Sequence, residues 1–336
     1  MREIASRANV SVSTVSKALS NSPEISRATA DRVIKASREL HYVCGKDDAG
    51  IISRTARTIG VIGPEAISSY YSVLVHNIID ILFQNGYRAL VGFSNLSPDE
   101  EVKLLHMFAE KGVDGIIMIR MGGEYTTIEL EKFKKETDIL VTQIILQIEG
   151  SNISAAYDGF IVDEEHGIYH ALKHFRDLGH ERIFFVGEER SKLRGKFFLN
   201  ALRRLGLNAG DDNVFIGEEK FELGGYLRMK EVLQRPDLSS AIFAAYDNVA
   251  IGAMRAIKEA GLEIPADISI ISYDDIQIAR YLQTSLTTVG VPFEKLARIS
   301  AESLLNRLKT GDMSSATHST LKPDLYIRES TGLVKK

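Results

Sequence analysis

Residues 2–19 read REIASRANVSVSTVSKAL. Ile4, Ala5 and Ala8 recur at helical spacing, Asn9, Val10 and Ser11 interrupt them, and Val15 and Leu19 then form the inward stripe of a second short helix. Ser11 suits the N-cap of that helix, because its hydroxyl can accept from an amide of the first turn, and Val10 plugs the angle between the two. The opposite face of the second helix carries Val12, Ser13, Ser16 and Lys17. Such a slim face with one cation can sit deep in a major groove ~12 Å wide, where Ser bonds several base edges, Val meets a thymine methyl and Lys donates to guanine O6 and N7. Ser26 caps a third helix reaching to about Leu40, which buttresses the other two. The competing reading is a small helical bundle whose hydroxyls serve only as caps and surface.

Beyond residue 57 the pattern changes. Short apolar runs, TIGVI at 58–62, RALVGF at 88–93, GIIMI at 115–119, RIFFV at 182–186, AIFAA at 241–245 and ISIIS at 268–272, read as buried strands. Amphipathic stretches near 72–85, 98–111, 164–178, 193–205, 222–234 and 247–260 separate them. Strands alternating with helices of this length imply βαβ units and parallel sheets covered on both faces. Two doubly wound lobes are expected, the second starting near residue 160.

Charge divides at the same place. The 336 residues carry a net charge of −4, which as an average argues weakly against a nucleic-acid partner. Residues 1–57, however, hold ten Lys/Arg against six Asp/Glu, a net of +4, and the other 279 residues hold −8. A basic head on an acidic body is the asymmetry of a nucleic-acid-binding module fused to something else. Apolar residues at 44% and charged residues at 26% exclude collagen-like and wholly disordered classes. The single cysteine, Cys44, fits a reducing compartment, and the N-terminal residues lack the apolar core of a secretion signal. A cytoplasmic protein with no membrane span is expected.

The head closely resembles the DNA-binding head of the lactose/galactose repressor (LacI/GalR) family. The resemblance rests on EIA at 3–5, VSVSTVSK at 10–17, NSP at 21–23 and RELHY at 38–42, with fifteen residues from there to TIGV at 58–61. It implies a helix-turn-helix head over 1–42 and a linker over 43–57. The bilobed core resembles a periplasmic-binding protein: 58–160 with 290–318 in its N-terminal lobe, 161–289 with 319–336 in its C-terminal lobe. It also implies that Val12, Ser13 and Lys17 read bases, that Thr14 and Ser16 lie near phosphates, and that Ser11 and Asn21 belong to the same DNA-binding surface. The linker departs from the family, reading VCGKDDAGI at 43–51 where a hinge helix is usual. Ile51 keeps the apolar minor-groove wedge position, but Gly45 and Gly50 each cost a helix ~1 kcal/mol and Asp47 and Asp48 oppose phosphates. A weak hinge, disordered off DNA, is the expectation.

In the body, candidate ligand residues follow the strands, since the carboxyl ends of parallel strands bound the binding crevice. These are Ser69, Tyr70, Tyr71, Asp163, Tyr246, Asp247 and Asp274, with Arg194 opening a helix. Carboxylates and an arginine supply acceptors and donors for vicinal hydroxyls, and tyrosine rings supply apolar faces for a sugar ring. For each Asp the competing role is a helix cap. The runs VDEEHG at 162–167, AYDNVAIGA at 245–253, IPADIS at 264–269, SYDDI at 272–276 and SLTTV at 285–289 resemble family landmarks. The resemblance implies effector binding by Asp163, Arg194, Asp247 and Asp274, with Tyr246 in place of a usual Asn and Phe197 in place of a usual Gly. A sugar is the first expectation for the effector, and a purine or another metabolite the alternative.

Enzyme readings lack parts: no phosphate-cradling G-x-x-x-x-G-K, no G-x-G-x-x-G after a strand, and no G-x-S-x-G elbow. Gly122–Gly123 and Gly224–Gly225 read as loop and helix-entry punctuation. His166, His170 and His174 share a helix face, but Ile168, Ala171, Leu172 and Phe175 take the inward side, so no metal and no cofactor are expected. A homodimer on a near-palindromic operator is expected, because one short head covers few phosphates. The absence of trailing leucine heptads argues against a tetramer. A sugar-binding transport component has the same kind of body, but the basic head and the missing signal count against it.

Overall fold

A computed structural model describes residues 1–19, 22, 24–39, 57–120, 123–146, 153–237, 239–312 and 315–335. The head consists of α1 (Arg2–Ala8), α2 (Val12–Leu19) and α3 (Arg27–Glu39). Its core is small: Ile4, Ala5, Ala8, Val15, Ala18, Val33 and Ala36 are buried, and Val10, Ile25 and Ala30 close over them. Asn9 ends α1 in the left-handed region at φ 52°, which turns the chain and lets Val10 N donate to Ala5 O at 2.9 Å. Ser11 Oγ accepts from Thr14 N at 3.0 Å and Ser26 Oγ from Thr29 N at 3.3 Å, so both act as the expected caps.

The first lobe is a parallel sheet in the order β11-β5-β4-β3-β1-β2. Its strands are β1 (Thr58–Gly63), β2 (Arg88–Phe93), β3 (Gly115–Arg120), β4 (Leu140–Ile145), β5 (Asp158–Val162) and β11 (His318–Leu321). Helices α4 (Ser69–Gln84), α5 (Pro98–Glu110), α6 (Glu124–Glu136) and α11 (Phe293–Thr310) cover it. β1, β3 and β4 are buried along nearly their whole length, as strands between two helical layers must be.

The second lobe has the order β12-β10-β9-β8-β6-β7. Its strands are β6 (Phe184–Glu188), β7 (Val214–Gly217), β8 (Ala241–Ala244), β9 (Ser269–Asp274), β10 (Thr287–Gly290) and β12 (Asp324–Tyr326). Helices α7 (Glu164–Asp177), α8 (Lys192–Leu205), α9 (Phe221–Leu233) and α10 (Asp247–Glu259) pack on it. β12 is antiparallel to β10, the exception in an otherwise parallel pair of sheets. No helix among the described residues is long and apolar enough to cross a membrane.

The lobes exchange chain later than the sequence suggests. Residue 160 falls inside β5 and residue 318 is the first of β11, yet both strands stay in the first sheet to their ends, with Leu321 paired to Val162. β10 remains in the second sheet through Gly290. Hydrogen-bond register sets these ends, and apolar runs do not report it. At the opposite end of β5, Asp158 ties the strand to α11 and to the start of β11: it accepts from Arg307 Nε and Nη2 at 2.7 Å each and from Thr317 N at 2.8 Å.

Gly224 and Gly225 are not at a helix entry but within α9. A Cβ on Gly225 would overlap the carbonyl of Val249, and one on Gly252 of α10 the carbonyl of Glu222. The two backbones therefore touch, which only glycine permits.

Candidate functional site

The carboxyl ends of both sheets face a common cleft. The first lobe lines it with Glu65, Ser68, Tyr70 and Tyr71 after β1, Leu96 after β2 and Leu146 after β4. From the second lobe come Glu164 at the start of α7, Glu188 at the end of β6 and Arg190 after it, Arg194 of α8, and Phe221, Tyr246, Asn248 and Asp274. Several of these sit on unfavourable backbone: Leu96 at φ 62°, Phe221 at φ 55° and Asp274 at φ 120°, with Asn95 and Asp275 beside them also positive. Non-glycine residues held there cost on the order of 1–3 kcal/mol each, and such strain gathers at functional sites.

Arg194 is the centre of the floor and is 2% exposed. Its guanidinium donates to Ala245 O and to Glu164, and lies 3.8 Å from Asp274 Oδ1. The rings of Tyr246 and Tyr273 cover it at 4.7 and 4.0 Å. Burial works against its charge, but Glu164, Tyr246, Asp274 and Tyr273 outweigh burial and hold it protonated. Burial, partly offset by Arg194, pushes the Asp274 carboxyl well above the usual carboxylate range. At the mouth, Arg190 Nη1 donates to both Glu65 oxygens at 3.1 Å, an ion pair that joins the two lobes.

Of the residues expected from sequence, Tyr70, Tyr71, Arg194, Tyr246 and Asp274 come together in this cleft. Three do not line it. Ser69 is exposed, and its neighbour Ser68 takes the position. Asp163 caps α7, its Oδ1 accepting from His166 N at 3.0 Å. Asp247 is fully buried behind the cleft, accepting from Ser272 Oγ, Thr288 Oγ1 at 2.7 Å and Ile276 N at 2.7 Å. Burial, opposed by those bonds, pushes its pKa up to about 6. It positions the Asp274–Ile276 loop. Glu65, Glu188, Arg190 and Phe221 were not expected, although Glu188 ends a strand and so carried the signal that identified Asp274.

Among the described residues no group of three His, Cys, Asp or Glu is arranged to hold a metal. His166 and His170 lie ring against ring at 4.3 Å, while His174 Nε2 bonds Thr331 Oγ1 at 3.1 Å.

In the head, Val12 is 44% exposed, Ser13, Ser16 and Lys17 are exposed, and Thr14 is half-buried. Ser11 spends its hydroxyl on the cap, also bonding Ser13 Oγ at 2.7 Å and Thr14 Oγ1 at 2.8 Å. Lys17 forms an ion pair with Glu24. Asn21, Ile51 and the linker apart from Arg57 lie outside the described residues.

Residues 1–44 match the model of bacterial regulatory proteins, lacI family, and residues 172–331 match that of a periplasmic binding protein-like domain. The chain belongs to the lacI family. This LacI-family chain is 29% identical over 314 residues to the HTH-type transcriptional repressor PurR of Aliivibrio salmonicida, covering 92% of each chain. It is 27% identical to the repressor CytR of Escherichia coli K12, covering 98% of this chain and 96% of that one. Among solved structures, a LacI family regulator from Enterococcus faecium with bound ribose superposes with a TM-score of 0.68 at 27% identity, covering 83% of this chain and all of that one. The lac repressor dimer bound to operator superposes at 0.73 with 24% identity over 98% of both chains, a likeness of fold. The LacI-family chain is a DNA-binding transcription regulator, and its named relatives are repressors and not enzymes.

Proposed function

We propose that this regulator works in the cytoplasm as a homodimeric repressor. Each copy places α2 in one major-groove half-site of a near-palindromic operator, with Val12, Ser13 and Lys17 toward the bases. A small hydroxyl-bearing effector, a sugar, binds between the lobes through Arg194, Asp274 and the Tyr70, Tyr71 and Tyr246 side chains. Lobe closure on that ligand changes the geometry of the dimer and so its operator affinity, and linkage makes the coupling reciprocal, typically 1–3 kcal/mol.

The observation that carries this reading is a cleft lined from both lobes, with buried polar groups converging among aromatic rings on strained backbone. The relative from Enterococcus faecium holds ribose and CelR was solved with cellobiose, which supports a sugar. The test is a thermal-shift screen against sugars and nucleobases, followed by selection of operator sequences from random DNA with and without the hit. Stabilisation by a sugar together with a changed affinity for a two-fold site is the expected result. A nucleobase as the sole hit would replace the sugar, and recovery of asymmetric single sites would refute the dimer on a palindrome.

A further inference from the structure

Lys17 is the one cation in the sequence of α2, and it is not offered to DNA as a bare charge. Its Nζ donates to the carboxylate of Glu24, which lies in the connection between α2 and α3. That connection folds back on the helix it leaves. Ser22 N donates to Lys17 O at 2.9 Å, Ile25 N to Ser22 O at 3.2 Å and Glu24 N to Ser22 Oγ at 3.4 Å. Ile25 packs against the core of the head, so the backbone on both sides of Glu24 is tied down and its carboxylate is kept beside the last turn of α2. The fold does not need this pair: the two side chains are 52% and 66% exposed, and ion pairs so exposed contribute little to stability.

What the pair changes is the kind of contact Lys17 can make. A bare ammonium at a DNA surface is drawn to any phosphate and displaces a counterion there whatever the sequence, which is the origin of non-specific, salt-dependent binding. Paired with a carboxylate it is a net-neutral unit that gains little from a phosphate, and the carboxylate itself is repelled by one. Its capacity to donate is kept. An ammonium has three N–H groups and can hold a carboxylate while it donates to guanine O6 and N7, a contact set by direction and reach. Glu24 thereby removes the sequence-independent part of what Lys17 contributes and leaves the part that depends on the base.

We infer that Glu24 is a specificity-determining residue of the DNA-binding head: paired with Lys17, it lowers affinity for DNA in general and raises the ratio of operator to non-operator binding. The inference rests on α2 presenting Lys17 to the bases, as proposed above.

The test is a set of binding titrations on the full chain as wild type, Lys17→Ala, Glu24→Gln and the double variant. The probes are an operator selected from random DNA by the wild type and a random-sequence duplex of the same length, each followed from about 50 to about 200 mM salt. Glu24→Gln should bind the random duplex more tightly and with a salt slope steeper by ~0.9 per head, a further loss of roughly 3.5-fold per head over that fourfold rise in salt. Its affinity for the operator should rise less, so the ratio of the two falls. In the Lys17→Ala background the same substitution should leave the ratio unchanged, because no ammonium is released. A ratio and slope equal to those of the wild type in Glu24→Gln would overturn the inference. A ratio that falls as far without Lys17 would do so too, since Glu24 would then act by itself on the phosphates. Failure of the underlying reading has its own signature: Lys17→Ala would weaken both duplexes equally, and the inference would go with the base contact.

Discussion

Asp247 offers a sharp test of how the cleft is supported. It is fully buried, its three donors are Ser272, Thr288 and the Ile276 amide, and its pKa stands at about 6 against ~3.9 for an ordinary Asp. The native state therefore keeps a proton between about pH 4 and pH 6 that the unfolded chain has released. Stability from this group is greatest below pH 4, is lost as pH rises through 6 and is level above. At ~1.4 kcal/mol per unit the full loss is roughly 3 kcal/mol, of which roughly 2 falls between pH 4 and pH 7. Asp247→Asn cannot titrate, yet its carbonyl can accept from Ile276 N while its amide donates to the two hydroxyls, which are able to accept. The variant should match the wild type near pH 4 and exceed it by roughly 2 kcal/mol at pH 7. Urea unfolding followed by far-UV circular dichroism suits a chain without tryptophan. A wild-type-minus-variant difference that stays constant from pH 4 to pH 7, or moves in favour of the wild type as pH rises, would refute the reasoning. Asp247→Ala, which strands all three donors, should be destabilised by about 3 kcal/mol or more even at pH 4.

Further outcomes follow from other contacts. Gly252→Ala drives a methyl group into the carbonyl of Glu222 and should cost about 3 kcal/mol or more by urea midpoint; a loss below ~1 kcal/mol would mean that α9 and α10 separate easily. A double-mutant cycle on Glu65→Gln and Arg190→Gln should give a coupling of about 0.5–1 kcal/mol in urea unfolding, because the pair is only partly exposed. A coupling of zero would mean that it does not join the lobes. Lys17→Ala should cost ~1–3 kcal/mol of operator binding and relax preference at one guanine in a binding titration, whereas equal loss on all sequences would make Lys17 a phosphate contact.

The alternation of strands and helices was legible because most strands are unbroken apolar runs. β4 was not, since Thr142 and Gln143 interrupt LVTQII. Both are buried, and Gln143 satisfies Arg120 at 2.9 Å and Ser154 O at 3.1 Å, so a polar network occupies a core position that periodicity takes for surface. β11 escaped for the opposite reason: it is an edge strand, HSTL, exposed along three of its four residues. The site divided in the same way. Asp163, Asp247 and Asp274 all follow strands, but only the fold separates a helix cap, a buried loop anchor and a cleft carboxylate. Glu65 and Arg190 sit in short irregular segments with no periodic signal, and their pairing spans 125 positions.

The late return of the chain to the first lobe bears on how the protein is made. β5 leaves the ribosome with one edge unpaired, and the helix that covers β3 and β4 from the other side, α11, begins about 130 residues later. At the usual 5–20 residues per second that interval is on the order of 10 seconds. Throughout it the nascent lobe exposes both a strand edge and an apolar sheet face, the two surfaces that bind chaperones or recruit another chain. The second lobe, by contrast, has β6 to β10 in hand before α11 is synthesised. The first lobe therefore waits for α11 and β11, and the second lobe's edge strand β12 follows only after them, so both lobes are completed by the last part of the chain.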